Sequence, residues 1–276
     1  MIGFVHVMAL PFLTCLILAG IYTYLGLHVI EREVIFVDLA LAQIAALGAS
    51  IAMVVGVSID SGRSYWISLG FTIIGATIFS LTRFRKQRIP QEAIIGITYA
   101  VSAALLILVL SRSGEGDEHI KQALVGNILL IAPHEAWRVL IISLAVGVFH
   151  FFYRKKLLLI SQDPEEASRK GLNIKLFDFL FYVSLGLVVT SSVRIAGVLL
   201  IFTFLIVPAA CAMLFSHTIR TRLMLGWVIG FLASILGMAA SYYMDLPTGA
   251  SIVCTFGVML IVSALTNALI LKARAR

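Results

Sequence analysis

Nine apolar runs divide the chain: 8–30, 34–57, 64–82, 91–111, 134–153, 174–192, 195–216, 223–243 and 249–271. Short polar connections separate them. A helix needs roughly 20 apolar residues to cross the hydrocarbon core of a bilayer. Each run meets that length, so the pattern predicts an all-α polytopic membrane protein. The expected form is one transmembrane domain over residues 1–276, a helical bundle of about nine spans. The number falls to eight if one run is re-entrant. No small-residue cleavage site follows the first run, which reads as a retained span rather than a signal peptide.

Composition sharpens this picture. Hydrophobic residues make up 61% of the chain and charged residues 13%. Mean hydropathy is +1.04. So few charges cannot cover a soluble domain of this size, and disorder is excluded for the same reason. A β-barrel alternates polar and apolar positions and would not raise hydropathy so far. The net charge is +7. In a soluble chain that would suggest nucleic-acid binding. Here the bases sit between apolar runs and report orientation, with no nucleic acid implied.

Sixteen of the 21 bases lie on alternate connections. They are Arg32; Arg83, Arg85, Lys86 and Arg88; Arg154, Lys155, Lys156, Arg169, Lys170 and Lys175; Arg220 and Arg222; and Lys272, Arg274 and Arg276. The other connections hold five, Arg63, Arg112, Lys121, Arg138 and Arg194. The positive-inside rule places the first set in the cytoplasm. Nine spans then put the N-terminus outside and the C-terminus inside a multi-pass protein of the cell inner membrane. The acidic stretch 114–119 would fall outside. The outer connection 112–133 carries an apolar part too short to span, suited to lying at the interface or dipping in.

The cytoplasmic connection 154–173 contains Asp163-Pro164-Glu165-Glu166-Ala167-Ser168-Arg169-Lys170-Gly171. Asp163 suits a helix N-cap, Pro164 its first turn and Gly171 its end. Acids lead and bases trail, matching the helix dipole. The segment predicts a polar helix of about two turns. Capping alone leaves open an ordinary surface helix or a docking surface for a soluble partner. No phosphate-binding glycine loop is present, so any energy source lies on another chain or in an ion gradient. Cys15, Cys211 and Cys254 sit inside apolar runs and read as small buried hydrophobes.

Ionisable residues inside spans are costly and point to function. Asp38 falls four residues into the second run and Asp178 four into the sixth, about 6 Å from the boundary at a rise of 1.5 Å per residue. Lys175 lies one turn before Asp178 and could pair with it at the interface, and Asp38, with Arg32 and Glu33 nearby, could also reach the interface. Gln43 is deeper, where an amide also serves as helix–helix glue. His28 and His150 fall near cytoplasmic span ends and read as interfacial. The small residues of Ala42–Ser50 allow close helix packing or a subunit interface around a pathway. Pro208 removes a backbone donor from the seventh run, which fits either a broken helix flanking a translocation path or a plain packing kink.

Five segments in order resemble the membrane permeases of ABC importers for zinc, manganese and iron. Leu25-Gly26-Leu27 through Gly48 is similar to a family segment ending Gly-Asp-Ala-Leu-Ser-His-Ala. Gly126-Asn127-Ile128-Leu129 resembles an external Gly-Asn-Ile-Leu. Asp163–Gly171 resembles the cytoplasmic coupling element, and Arg194–Leu200 through Val207-Pro208-Ala209-Ala210 a Val-Gly-Val-Leu-Leu…Ile-Pro-Ala-Ala run. Ser241–Gly249 is close to Tyr-Tyr-Leu-Asp-Leu-Pro-x-Gly. The resemblance implies a type II importer-like fold and a homodimer of permeases around a central path. It implies two cytoplasmic ATPase subunits docking at Asp163, Pro164, Glu165, Glu166, Ala167, Ser168 and Gly171. An external solute-binding protein would deliver the metal. ATP and magnesium belong to the ATPase, with no cofactor in this chain. Asn127 and Asp245 would lie on the external face, and Gly197 and Pro208 at path-lining breaks.

One departure stands out. The family's Asp and His fall on Leu39 and Gln43, and the acid here is Asp38. One position turns a helical side chain by about 100°. Asp and His at i, i+4 can reach one ion, whereas Gln is a poor ligand. Asp38 and Gln43 are nevertheless the candidates for the metal pathway. A permease for a metal chelate, siderophore or cobalamin is the alternative within this class. An ion-coupled secondary transporter would show deep acids or repeated halves. An intramembrane enzyme would show a convergent nucleophile or metal constellation. Neither pattern is evident, so catalysis is expected only on the partner ATPase.

Overall fold

The computed structural model describes residues 2–58, 61–83, 89–111 and 126–274. The acidic stretch 114–119 and Arg85, Lys86, Arg88, Arg112 and Lys121 lie outside the described residues. Among the described residues ten α-helices follow in order: α1 (Ile2–Glu31), α2 (Val37–Val54), α3 (Gly62–Leu81), α4 (Gln91–Leu110), α5 (Pro133–Gln162), α6 (Pro164–Arg169), α7 (Ile174–Ala196), α8 (Val198–Phe215), α9 (Ile219–Met244) and α10 (Thr248–Arg274). One 3-10 turn, Ile128–Leu130, precedes α5. Among the described residues nine helices are long and apolar enough to cross a membrane, and each overlaps one of the nine runs. The short α6 is the tenth.

α5 extends beyond its apolar run to Gln162. Arg154, Lys155 and Lys156 are good helix formers and do not stop it. Leu157 and Ile160 beyond them are fully buried. The segment expected as a loop is therefore helix for a further two turns.

The chain divides into two compact units. Unit 2 comprises Glu31–Leu124 and Ile141–Arg194. Its α2 and α3 approach closely because the small-residue run of α2 leaves room. A Cβ on Gly48 would lie 2.9 Å from the Ser68 Cα, so Gly48 is required at that crossing. The small residues thus pack α2 within its own unit. Leu41, Phe79, Ile95, Phe181 and Tyr182 are buried in this core.

Unit 1 comprises Met1–Ile30, Val125–Leu140 and Ile195–Arg276. Here α8, α9 and α10 pack together, with Phe204 and Phe256 edge to face at 5.0 Å. A Cβ on Gly26 of α1 would fall 1.8 Å from the Leu205 carbonyl oxygen of α8. Trp227 of α9 donates its indole N–H to the Gly20 carbonyl, 3.0 Å. Cys15 and Cys211 are buried as expected, but Cys254 is exposed. It sits on α10, which is mostly uncovered by the rest of the protein, so an apolar position there does not imply a covered one.

Candidate functional site

Asp38 occupies the first turn of α2. It is 1% exposed, and Gln43 is 6% exposed. Asp38 Oδ1 and Gln43 Oε1 have no hydrogen-bond partner among the described residues. Burying such atoms without partners is costly, and native proteins leave few of them. The start of α2 has an unexpected neighbour. Phe36, just before the helix, donates its backbone N–H to Glu92 Oε1 of α4 at 3.0 Å. Glu92 Oε2 is also buried with no partner among the described residues. Asp38 lies two residues beyond Phe36, as the second residue of the same helix. Sequence reasoning missed Glu92. It is the second residue of a span that begins after Pro90, where an acid reads as an ordinary first-turn residue.

Asp178 is fully buried within the protein. Its partners are Arg32 and Arg83, not Lys175. Arg83 Nη1 reaches both carboxylate oxygens, at 2.7 and 2.8 Å. Arg32 bonds the same carboxylate, donates Nε–H to Ser161 Oγ at 2.8 Å and lies 4.1 Å over the Phe181 ring. Burial pushes the Arg32 guanidinium below the ordinary arginine range, while the Asp178 carboxylate opposes that shift. One carboxylate thus ties together the segment after α1, the segment after α3, and α7. The fixed fork of Arg suits such a junction.

His28 and His150 are each 1% exposed, so both are buried within the protein. The His150 ring bonds Ser184 at 2.8 Å. Gln91 of α4 donates to the Tyr182 hydroxyl and to the Phe79 carbonyl, both at 3.0 Å. The interior of unit 2 therefore carries a series of polar ties.

The helix expected at 163–171 is present as α6. Asp163 caps it by accepting from the Glu166 N–H at 2.8 Å, and Pro164 holds its first turn. At the other end, Gly171 N–H reaches the Ser168 carbonyl and Leu172 N–H the Ala167 carbonyl, at 3.0 and 3.1 Å. Gly171 has φ +74°. This is a Schellman cap, and it needs the left-handed conformation that glycine adopts freely. Asp163, Pro164, Glu165 and Arg169 are exposed. Ala167 is fully buried and anchors α6 instead of standing on its outer surface. A cleft of about 870 Å³ beside α6 is lined by Glu165, Ser168 and Lys175 together with Arg32, Arg83 and Glu92. α6 and Glu92 of α4 thus border a common space within one unit.

Two segments that the sequence holds far apart meet in unit 1. Asn127 N–H donates to the Ile195 carbonyl at 3.0 Å. Gly126 (φ +63°) and Gly197 (φ +78°) are both left-handed. A Cβ on Gly126 would fall 2.2 Å from the Gly197 nitrogen. Gly197 breaks the chain between α7 and α8, whereas Pro208 is accommodated inside α8. Asp245 (φ +55°) closes α9 in the left-handed region and is exposed, as is Asn127.

A bundle of membrane-length helices with a capped, partly exposed polar helix and buried unpartnered acceptors is built as a transport permease. The chain matches the family model described as the ABC 3 transport family over residues 5–267 and belongs to that family. It is 26% identical over 262 residues to "Manganese import system permease protein ScaB" of Streptococcus gordonii, covering 94% of this chain and 90% of that one. It is 27% identical over 208 residues to a "Probable iron transport system membrane protein" of Haemophilus influenzae, covering 75% and 73%. Its fold is that of the solved PsaBC of Streptococcus pneumoniae in complex with Fab. That TM-score is 0.79 at 23% identity, covering 95% of each chain.

Proposed function

We propose that this chain is the membrane permease of an importer that moves a divalent metal ion, manganese, iron or zinc, into the cytoplasm. It works as a homodimer, with two ATPase subunits docked on α6 and an external solute-binding protein delivering the ion. Catalysis belongs to the ATPase. The family membership and the names of its relatives support this reading. The observation that carries it is the capped α6 beside a cleft that Glu92 also lines. The bias of bases between alternate connections supports an external N-terminus, a cytoplasmic C-terminus and a cytoplasmic α6.

The metal path runs along α2 past Asp38 and Gln43. Both offer oxygen atoms, which suit manganese and ferrous iron better than a softer cargo. The docking face of α6 is its exposed side. Glu165 is 80% exposed on its side chain, and its pair with Arg169 spans 3.7 Å. Such a surface pair contributes little to folding. Glu165→Lys should therefore leave the permease folded and reduce ATPase co-purification about ten-fold. Undiminished co-purification and transport would remove α6 as the docking element.

A further inference from the structure

We infer that Glu92 of α4 and Asp38 of α2 together form a two-carboxylate site for a divalent cation at the N-terminal end of α2. The inference rests on the metal-import reading and adds a residue from a second helix to it. Four observations carry it. The Phe36–Glu92 hydrogen bond at 3.0 Å fixes the Glu92 carboxylate at the start of the helix whose second residue is Asp38. Asp38 is 1% exposed, and its Oδ1 has no partner among the described residues. Glu92 Oε2 is buried in the same condition. Glu92 also lines the 870 Å³ cleft, which connects its carboxylate to the space beside α6.

Two carboxylates near each other in a buried place repel and lack solvation. The N-terminus of α2 offers partial positive charge, which eases one anion more than two. A cation bridging Asp38 Oδ1 and Glu92 Oε2 would satisfy both free oxygens and cancel the repulsion. Hard divalent ions such as Mn²⁺ take carboxylate oxygens and keep water in their remaining positions. Among the described residues no group of three or more His, Cys, Asp or Glu could hold a metal ion. Two ligands hold an ion more weakly than a structural site would, and cargo must leave as well as enter. The pair is therefore a way station for the substrate, close to the cleft.

The bland role of Glu92 is a side-chain cap on α2. Glu92→Gln separates the two roles, because the amide oxygen still accepts the Phe36 N–H while the charge is lost. The experiment titrates Mn²⁺ into the purified permease–ATPase complex without nucleotide and follows free Mn²⁺ by its electron paramagnetic resonance signal. The expected result is one weakly bound Mn²⁺ per permease. Its apparent Kd should rise at least ten-fold in Glu92→Gln and in Asp38→Asn, with complex assembly unchanged. Identical titrations for wild type and Glu92→Gln would overturn the site, as would a wild-type complex that binds none at millimolar Mn²⁺. Vesicle uptake of manganese by the same wild-type complex separates the two claims. Uptake without the bound ion leaves import standing and removes the pair. The bound ion without uptake keeps the pair and removes manganese import.

Discussion

Both units pack helices closely at glycines, Gly48 in unit 2 and Gly26 in unit 1, but unit 2 adds a set of long-range side-chain ties. In unit 1 the backbones touch: Gly26 lies against the Leu205 carbonyl, Gly237 against Ile252 and Gly226 against Thr23 and Pro208. Phe12 and Phe231 meet edge to face at 5.9 Å. In unit 2 side chains reach across: Arg32 and Arg83 to Asp178, Gln91 to Tyr182, His150 to Ser184, and Thr72 to Thr190 at 2.9 Å. Close backbone packing suits helices in lipid, where apolar side chains gain nothing by leaving one apolar medium for another. Buried polar ties are expensive and specify one arrangement. The unit that bears α6 and Asp38 is the one fixed by such ties. The contrast separates a packed scaffold from a positioned site.

The largest effect should come from breaking the polar junction. Asp178→Ala leaves Arg32 buried without its carboxylate, and losing one partner of a buried pair costs about 3–5 kcal/mol. Thermal unfolding in detergent should show a loss of that size, and cleavage by added protease should increase around α6. An unchanged melting temperature would mean that the junction contributes little.

The matching break in unit 1 is Gly26→Ala. A single methyl would have to displace the Leu205 carbonyl. Overpacking of this kind costs about 1–3 kcal/mol. The expected outcome is a lower melting temperature with the Mn²⁺ titration of the surviving folded fraction unchanged. A change in ion binding at full stability would blur the distinction between scaffold and site.

A smaller effect is expected at α6. Asp163→Ala removes the N-cap oxygen from the Glu166 N–H, a loss of about 1 kcal/mol. Because α6 has only six residues, that loss should show as faster amide exchange from Glu165 to Ser168, with little change in global unfolding. Exchange at the wild-type rate would mean that the cap does not hold the helix.

How much of this was legible in the sequence differs by element. The nine spans follow from hydropathy alone, because a bilayer imposes length and apolarity on each. α6 was legible to the residue at its caps, since Asp, Pro and Gly act locally. The partners of Asp178 were not. Lys175 is one turn away, yet Arg32 and Arg83, more than 90 residues distant, won the carboxylate. Only the folded chain brings those bases to it. Glu92 was hidden for the same reason. Its role depends on where the start of α2 comes to rest. Gly126 and Gly197 each carried a turn signal, but their mutual approach is a tertiary fact.

The central claim is that the start of α2 is kept polar for cargo rather than for folding. Its most direct test is Asp38→Asn in the complete complex in vesicles, assayed for ATP-driven uptake of radiolabelled manganese alongside thermal unfolding. Asp38→Asn removes a buried charge whose Oδ1 has no partner among the described residues, so stability should not fall below wild type. Uptake should fall at least ten-fold. Uptake at the wild-type rate with unchanged stability would place the path elsewhere and contradict the account.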